Sequence, residues 1–192
     1  MAVLGRRLAS AGLFLLLALG VRMETAAEPL VSGEPAVKAA FLYNFAKFVE
    51  WPAGAFAGPR EPVAFCVVGE SAIGDELAQA VGGKTIQGRP VTVERAAPLD
   101  ALLRCQILFV ASAERTRFDQ ILAVVGRRPV LTVGDDENFR QAGGIINFVL
   151  RRNRVRFQID RAAAERAGLR ISSRLLELAE VVDPAGGPAG RR

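Results

Sequence analysis

Three short apolar runs alternate with segments of helical length, and this alternation limits the chain's fold more than any other feature. The runs are residues 62–68 (PVAFCVV), 106–111 (QILFVA) and 129–133 (PVLTV). Each is apolar throughout rather than at every second position, as expected of a strand covered on both faces. The intervening segments have helical character. Residues 71–81 begin at Ser71, a good N-cap, and stop at Gly82-Gly83. Residues 114–125 place Phe118, Ile121, Leu122 and Val125 on one face, and residues 138–142 predict a shorter helix. Strands alternating with helices predict one three-layer α/β domain: a largely parallel sheet with helices on both faces.

The rest of the chain is read onto that frame. Residues 37–51 have helical period, with Val37, Ala40, Phe41, Asn44, Phe45, Phe48 and Val49 on the inward stripe and Pro52 as a stop. On this reading Asn44 is buried and needs a partner. Residues 84–94 read as extended and 99–103 as a short helical turn. Residues 144–150 and 155–159 are strands joined at Arg151-Arg152-Asn153-Arg154, a late antiparallel hairpin that forms the sheet edge. Residues 161–167 and 172–182 read as helices. Residues 184–192 are Pro/Gly-rich and are expected to be a disordered tail.

Residues 1–27 have the layout of an export signal: Arg6-Arg7, an apolar run from Leu8 to Val21, then Thr25-Ala26-Ala27. An uncleaved anchor is the rival reading. Cleavage near Ala27 leaves a domain of residues 28–183 in the periplasm. It also removes Arg6, Arg7, Arg22 and Glu24, which lowers the formal charge of +5 by two, to +3. That balance does not indicate a nucleic-acid partner.

The chain has no histidine. Histidine-dependent triads and zinc sites are therefore excluded. Gly69 and Gly74 sit at a phosphate-loop spacing, but Asp75-Glu76 stand where lysine and a hydroxyl are needed. Asp135-Asp136-Glu137 read as a helix N-terminus rather than a cation site. No cofactor, metal or catalytic residue is expected, and the chain reads as non-enzymatic. Cys66 and Cys105 lie in or beside two buried strands, close enough for a disulfide; two buried free thiols are the alternative.

Two surface features are candidates for partner contact. Phe41, Tyr43, Phe45, Phe48, Trp51 and Phe56 gather about half of the chain's aromatic residues into one short stretch. Core packing explains most of them; Tyr43, Phe48 and Trp51 are the candidates for an interface. Arg151, Arg152, Arg154 and Arg156 concentrate charge on the hairpin, either as a solvated edge or as a partner face.

The runs VKAAFLYNFAKFVEWP, FCVVGESAIGDEL, GGKTIQGRPVTV and CQILFVA, then GGIINFVLRRNRVRFQID and AGLRISSRLLELA, resemble the YfiR-like family of exported bacterial proteins over about residues 36–182. Asp160 stands where the family pattern usually has Asn. The resemblance implies a periplasmic α/β domain that dimerises and works by protein–protein contact. The best-known member represses a membrane diguanylate cyclase by binding its periplasmic sensor region, and an outer-membrane lipoprotein sequesters that member. Redox conditions and small ligands are connected with the switch. Cys66 and Cys105 match one family disulfide. The second has no counterpart, since Asn147, Arg152 and their neighbours occupy its place, so redox control through that pair does not carry over. The expected function is repression in cyclic-di-GMP signalling; a periplasmic small-molecule sensor is the alternative.

Overall fold

The structure, a computed structural model, describes residues 33–95 and 99–182. The expected export signal (1–27) and tail (184–192) lie outside the described residues. The elements in chain order are α1 (Gly33–Phe48), β1 (Val49–Glu50), β2 (Val63–Val68), α2 (Ile73–Val81), β3 (Thr85–Ile86) and β4 (Arg89–Arg95). A 3₁₀ turn (Leu99–Arg104), β5 (Ile107–Val110), a second 3₁₀ turn (Ser112–Arg117), α3 (Phe118–Val125), β6 (Leu131–Gly134) and α4 (Glu137–Gln141) follow. The chain continues through β7 (Ile146–Arg151), β8 (Arg154–Asp160), α5 (Arg161–Arg166), β9 (Arg170–Ile171), α6 (Ser173–Leu178) and β10 (Glu180–Val182).

Eight strands form one sheet in the order β10-β8-β7-β6-β5-β2-β4-β3. The strands β4-β2-β5-β6-β7 are mutually parallel, in the doubly wound order 2-1-3-4-5. The apolar runs form its centre: β2, β5 and β6 are buried at every position. One face packs against α1, α2 and α5 through Leu42, Phe45, Leu77 and Ala164, among others. The other face packs against the 3₁₀ turn at Leu99–Arg104, α3 and α4 through Leu102, Phe118, Ile121 and Phe139. The domain is thus three-layered α/β.

Several boundaries differ from the sequence reading. The first helix ends at Phe48, because Val49 and Glu50 pair antiparallel with Ile171 and Arg170. Its inward stripe is Lys38, Ala39, Leu42, Phe45 and Ala46, so Val37, Ala40 and Asn44, expected to face inward, face solvent instead, and Asn44 needs no buried partner. Residues 84–94 split into β3 and β4 around Gln87-Gly88, both at positive φ (51° and 77°). The segment 172–182 is helical only to Leu178; Glu180–Val182 then pairs parallel with Gln158–Asp160. The hairpin therefore does not form the sheet edge, because β10 lies outside β8. The hairpin turn itself is two residues, Arg152 and Asn153, both at positive φ (49° and 61°), the geometry that matches strand twist.

A disulfide joins Cys66 of β2 to Cys105, with a Cα–Cα distance of 5.8 Å. Cys66 lies in register with Leu108, so Cys105 precedes strand β5 and sits in the turn leading into it. The bond ties that turn to the sheet, in the interior of the face that carries α3.

Candidate functional site

The hairpin presents two unlike faces because side chains alternate along each strand. Towards α1 it carries the cross-strand pairs Phe148–Phe157 and Leu150–Val155. Away from α1 it carries Arg151, Arg154 and Arg156, with Arg152 at the tip. Phe41 and Phe45 of α1 cover the first apolar pair. Phe45 meets Phe157 edge-on at 4.9 Å between centroids and stacks on Phe148 at 5.7 Å; Phe41 reaches Phe157 at 5.3 Å. Such aromatic pairs add about 0.5–1.5 kcal/mol each beyond area burial.

Leu150 and Val155 lie one step further towards the tip, where α1 gives no equivalent cover. Leu150 is 50% exposed and Val37 on α1 is 43% exposed. Between them lies an open groove of about 420 Å³, lined by Glu34, Val37, Phe41, Leu150, Arg154 and Val155 among others. Solvent-facing positions of a surface helix ordinarily carry charge. In the first turns of α1 the exposed positions are Gly33, Val37 and Ala40, none of them charged.

A charged clamp fixes α1 beside this groove. Lys38 is only 8% exposed, and its Nζ donates to Asp135 Oδ2 at 2.9 Å and pairs with Glu34 Oε1 at 2.7 Å. The other Asp135 oxygen accepts from the Ser112 backbone N–H at 3.0 Å. Burial pulls the Lys38 pKa down, but hydrogen bonds and charge from Glu34 and Asp135 outweigh it and raise the pKa above 10.5. Asp135 thus anchors α1, and Asp136 caps α4 by accepting from Asn138 N at 2.9 Å. Among the described residues, no cluster of three or more His, Cys, Asp or Glu side chains is arranged to hold a metal.

The candidate contact residues fall into separate places. Arg154 contributes to the groove wall at the open end of the hairpin and Arg152 stands in the hairpin turn outside the groove lining, whereas Arg151 pairs with Glu180 at 3.7 Å. Tyr43 is half-buried, with Lys47 and Lys84 each 5.0 Å from its ring centre. Phe48 and Trp51 are half-buried against the core, and Trp51 packs edge-on to Phe56. Sequence reasoning assigned Val37 to the buried stripe and did not single out Leu150 and Val155. A local hint existed, since Leu150 and Val155 immediately flank the arginine-rich turn. Asn147 is buried, and its amide nitrogen donates to the carbonyls of Asp136 (2.9 Å) and Gly134 (3.2 Å).

The switch point of the parallel strands lies between β2 and β5. A crevice of about 300 Å³ there is lined by Gly69, Glu70, Arg95, Glu114 and Arg117. Its charges are largely satisfied internally: Arg117 pairs with Glu114 at 2.9 Å and Arg95 with Asp75 at 2.7 Å. Gly69 (φ +89°) lets the Glu114 side chain approach, since a Cβ there would lie 2.8 Å from Glu114 Cγ.

Among the described residues, no helix is long and apolar enough to cross a membrane. The profile of the family described as YfiR/HmsC-like matches residues 35–180. No curated protein matches the chain.

Proposed function

The chain belongs to the YfiR/HmsC-like family, and from that premise we propose that it is a non-enzymatic periplasmic regulator acting by protein–protein contact. Its target on this reading is the periplasmic sensor region of a membrane-bound diguanylate cyclase, which it represses. An outer-membrane lipoprotein that releases the repression, and self-association into a homodimer, belong to the same proposal. So does removal of residues 1–27 on export, leaving residues 28–183 as the working domain. The disulfide supports an oxidising compartment.

The observation that carries the reading is the exposed apolar groove beside the arginine hairpin, on an otherwise well-packed frame. Exposed apolar surface with a polar rim marks contact sites. Arg151, Arg152 and Arg154 are the proposed contact residues at this end of α1; Tyr43, Phe48 and Trp51 are the candidates towards its other end. Deleting the gene is expected to raise cellular cyclic-di-GMP, and restoring the exported chain to lower it again. Unchanged cyclic-di-GMP in the deletion strain refutes the proposal.

A second reading, a small-molecule sensor, is favoured by the crevice at the switch point, where open α/β sheets bind ligands. Thermal-shift screening of the mature protein tests it. A compound whose stabilisation disappears on Glu114→Gln supports it, and a screen without any stabilising compound counts against it.

A further inference from the structure

We propose that residues 29–32 (PLVS), which lead into α1, fold back over its first turns and seat Leu30 and Val31 in the α1–hairpin groove as an intramolecular strap. The inference rests on the contact reading above and concerns its regulation: a partner that uses the groove has to displace the strap.

The groove is apolar, partly uncovered and placed where this segment ends. Val37 and Leu150, 43% and 50% exposed, stand on its two sides with Phe41 and Val155 beside them. Gly33, the first residue of α1, is itself part of the lining, so the chain that precedes it leaves from the groove's own edge. Leu30 is three residues before Gly33, a reach of about 10 Å when extended. Val37 is four residues into the helix, about 6 Å along its axis. The segment is long enough to pass Val37 and short enough to stay at the groove.

The residues suit that path. Ser32 directly precedes the helix, and serine at this position accepts a hydrogen bond from a first-turn N–H. An apolar residue just before such a cap often packs on the fourth helical residue and fixes the direction of entry. Here those two residues are Val31 and Ala36, the neighbour of Val37, and Leu30 is the next side chain on the way to Leu150.

Two other occupants fit less well. The opposite terminal segment, residues 183–192 (DPAGGPAGRR), has no large apolar side chain and follows β10, which β8 separates from β7. A second copy would need about 800 Å² from each side for stable association, whereas the groove, at about 420 Å³, holds only a few side chains. The attached segment needs no such area, because a short tether keeps it at millimolar effective concentration.

The test uses protein purified from the periplasm, its N-terminus read by mass, with a photo-cross-linking amino acid at position 150. Position 103, exposed on the 3₁₀ turn of the sheet's other face, is the control. Irradiation at low concentration should join position 150 to residues 29–31 within one monomer, and position 103 should give no such product. Leu30→Asp with Val31→Asp should lower the yield at least tenfold while shifting the melting temperature by less than about 2 °C, because two side chains on a half-open groove add little to stability. A product with a second copy, no product at position 150, a yield unchanged in the variant, or a mature N-terminus beyond Leu30 overturns the proposal. In cells the same variant should repress more strongly, lowering cyclic-di-GMP at least twofold below wild type; an unchanged level, in a strain where deletion raises it, removes the strap's regulatory part. If deletion raises cyclic-di-GMP but no strap product forms, the contact reading stands and this inference fails. If the strap product forms while deletion leaves cyclic-di-GMP unchanged, the strap stands and the contact reading falls.

Discussion

Removing the Cys66–Cys105 bond tests how much of the domain's stability depends on one covalent link. The bond closes a loop with a sequence separation of 39 residues. In the chain-entropy account, a loop of that length adds about 4 kcal/mol at 25 °C by restricting the unfolded chain. Both cysteines are 2% exposed and pack among Val68, Leu102, Leu108 and Val110. Cys66→Ala with Cys105→Ala therefore also loses packing, on the order of 1 kcal/mol. A domain of this size shifts by about 2–4 °C per kcal/mol, so the double variant should melt roughly 10–20 °C lower. Urea unfolding of the mature protein gives the free energy, and reduced wild type provides a control without a packing change. Unreduced wild type, once denatured, should offer no thiol to an alkylating reagent. A double variant within about 1 kcal/mol of wild type would refute the entropic argument; two alkylatable thiols would refute the bond itself.

Three further outcomes follow from the packing. Lys38→Met leaves Asp135 half-buried without its cation and should cost about 2–3 kcal/mol in urea unfolding, less than a fully enclosed pair because Glu34 reaches solvent. The raised Lys38 pKa gives this contribution a pH signature: it is present in full below the unfolded lysine value and is lost as pH rises through the folded one. Wild type and Lys38→Met should therefore converge in stability above pH 10.5, and a constant gap across that range would count against the clamp. Gly134→Ala sets a Cβ 2.4 Å from the Phe139 ring and should cost about 2 kcal/mol or more, whereas Gly58→Ala meets nothing within 4 Å and should be near neutral by thermal melts. Phe45→Ala, at a fully buried position, should cost about 3–5 kcal/mol, while Val37→Ser on the same helix should stay within roughly 0.5 kcal/mol.

The central strands were legible because β2, β5 and β6 are apolar at nearly every position, and nothing but a doubly covered strand suits such short runs. The hairpin was legible for a similar reason: Phe157 and Ile159 alternate with arginine and glutamine on β8. The phase of α1 was not legible. Residues 39–42 are Ala-Ala-Phe-Leu, apolar without interruption, so periodicity alone could not say which side faces in. The deciding residue was Lys38, which is buried because Asp135 neutralises it from 97 positions away. Local pattern counts lysine as outward-facing and cannot see that partner. Strand β10 was missed because Leu175, Leu176 and Leu178 extend a helical pattern up to it, and its three residues become a strand only through pairing with β8. The groove escaped notice for a geometric reason. It exists because the hairpin's apolar ladder runs one pair beyond the reach of α1's aromatic rings, a comparison of two elements more than 100 residues apart.

Stability and recognition divide the first helix between them. The inward stripe of Leu42, Phe45 and Ala46 is fully buried and secures the helix to the sheet. The Glu34–Lys38–Asp135 clamp then sets where its first turns stand relative to the ends of β5 and β6. Val37 and, across the groove, Leu150 add little to this attachment, since each stays about half exposed, whereas Phe41 contributes through its packing on Phe45 and Phe157. Apolar side chains at such positions gain little from folding, because their surface remains wet in the isolated domain. Their gain comes when something else covers them. Glu34 belongs to both parts: its carboxylate lines the groove while its ion pair holds Lys38. An occupant of the groove would therefore lie close to the clamp, and occupation would bear directly on the element that fixes α1 to the sheet.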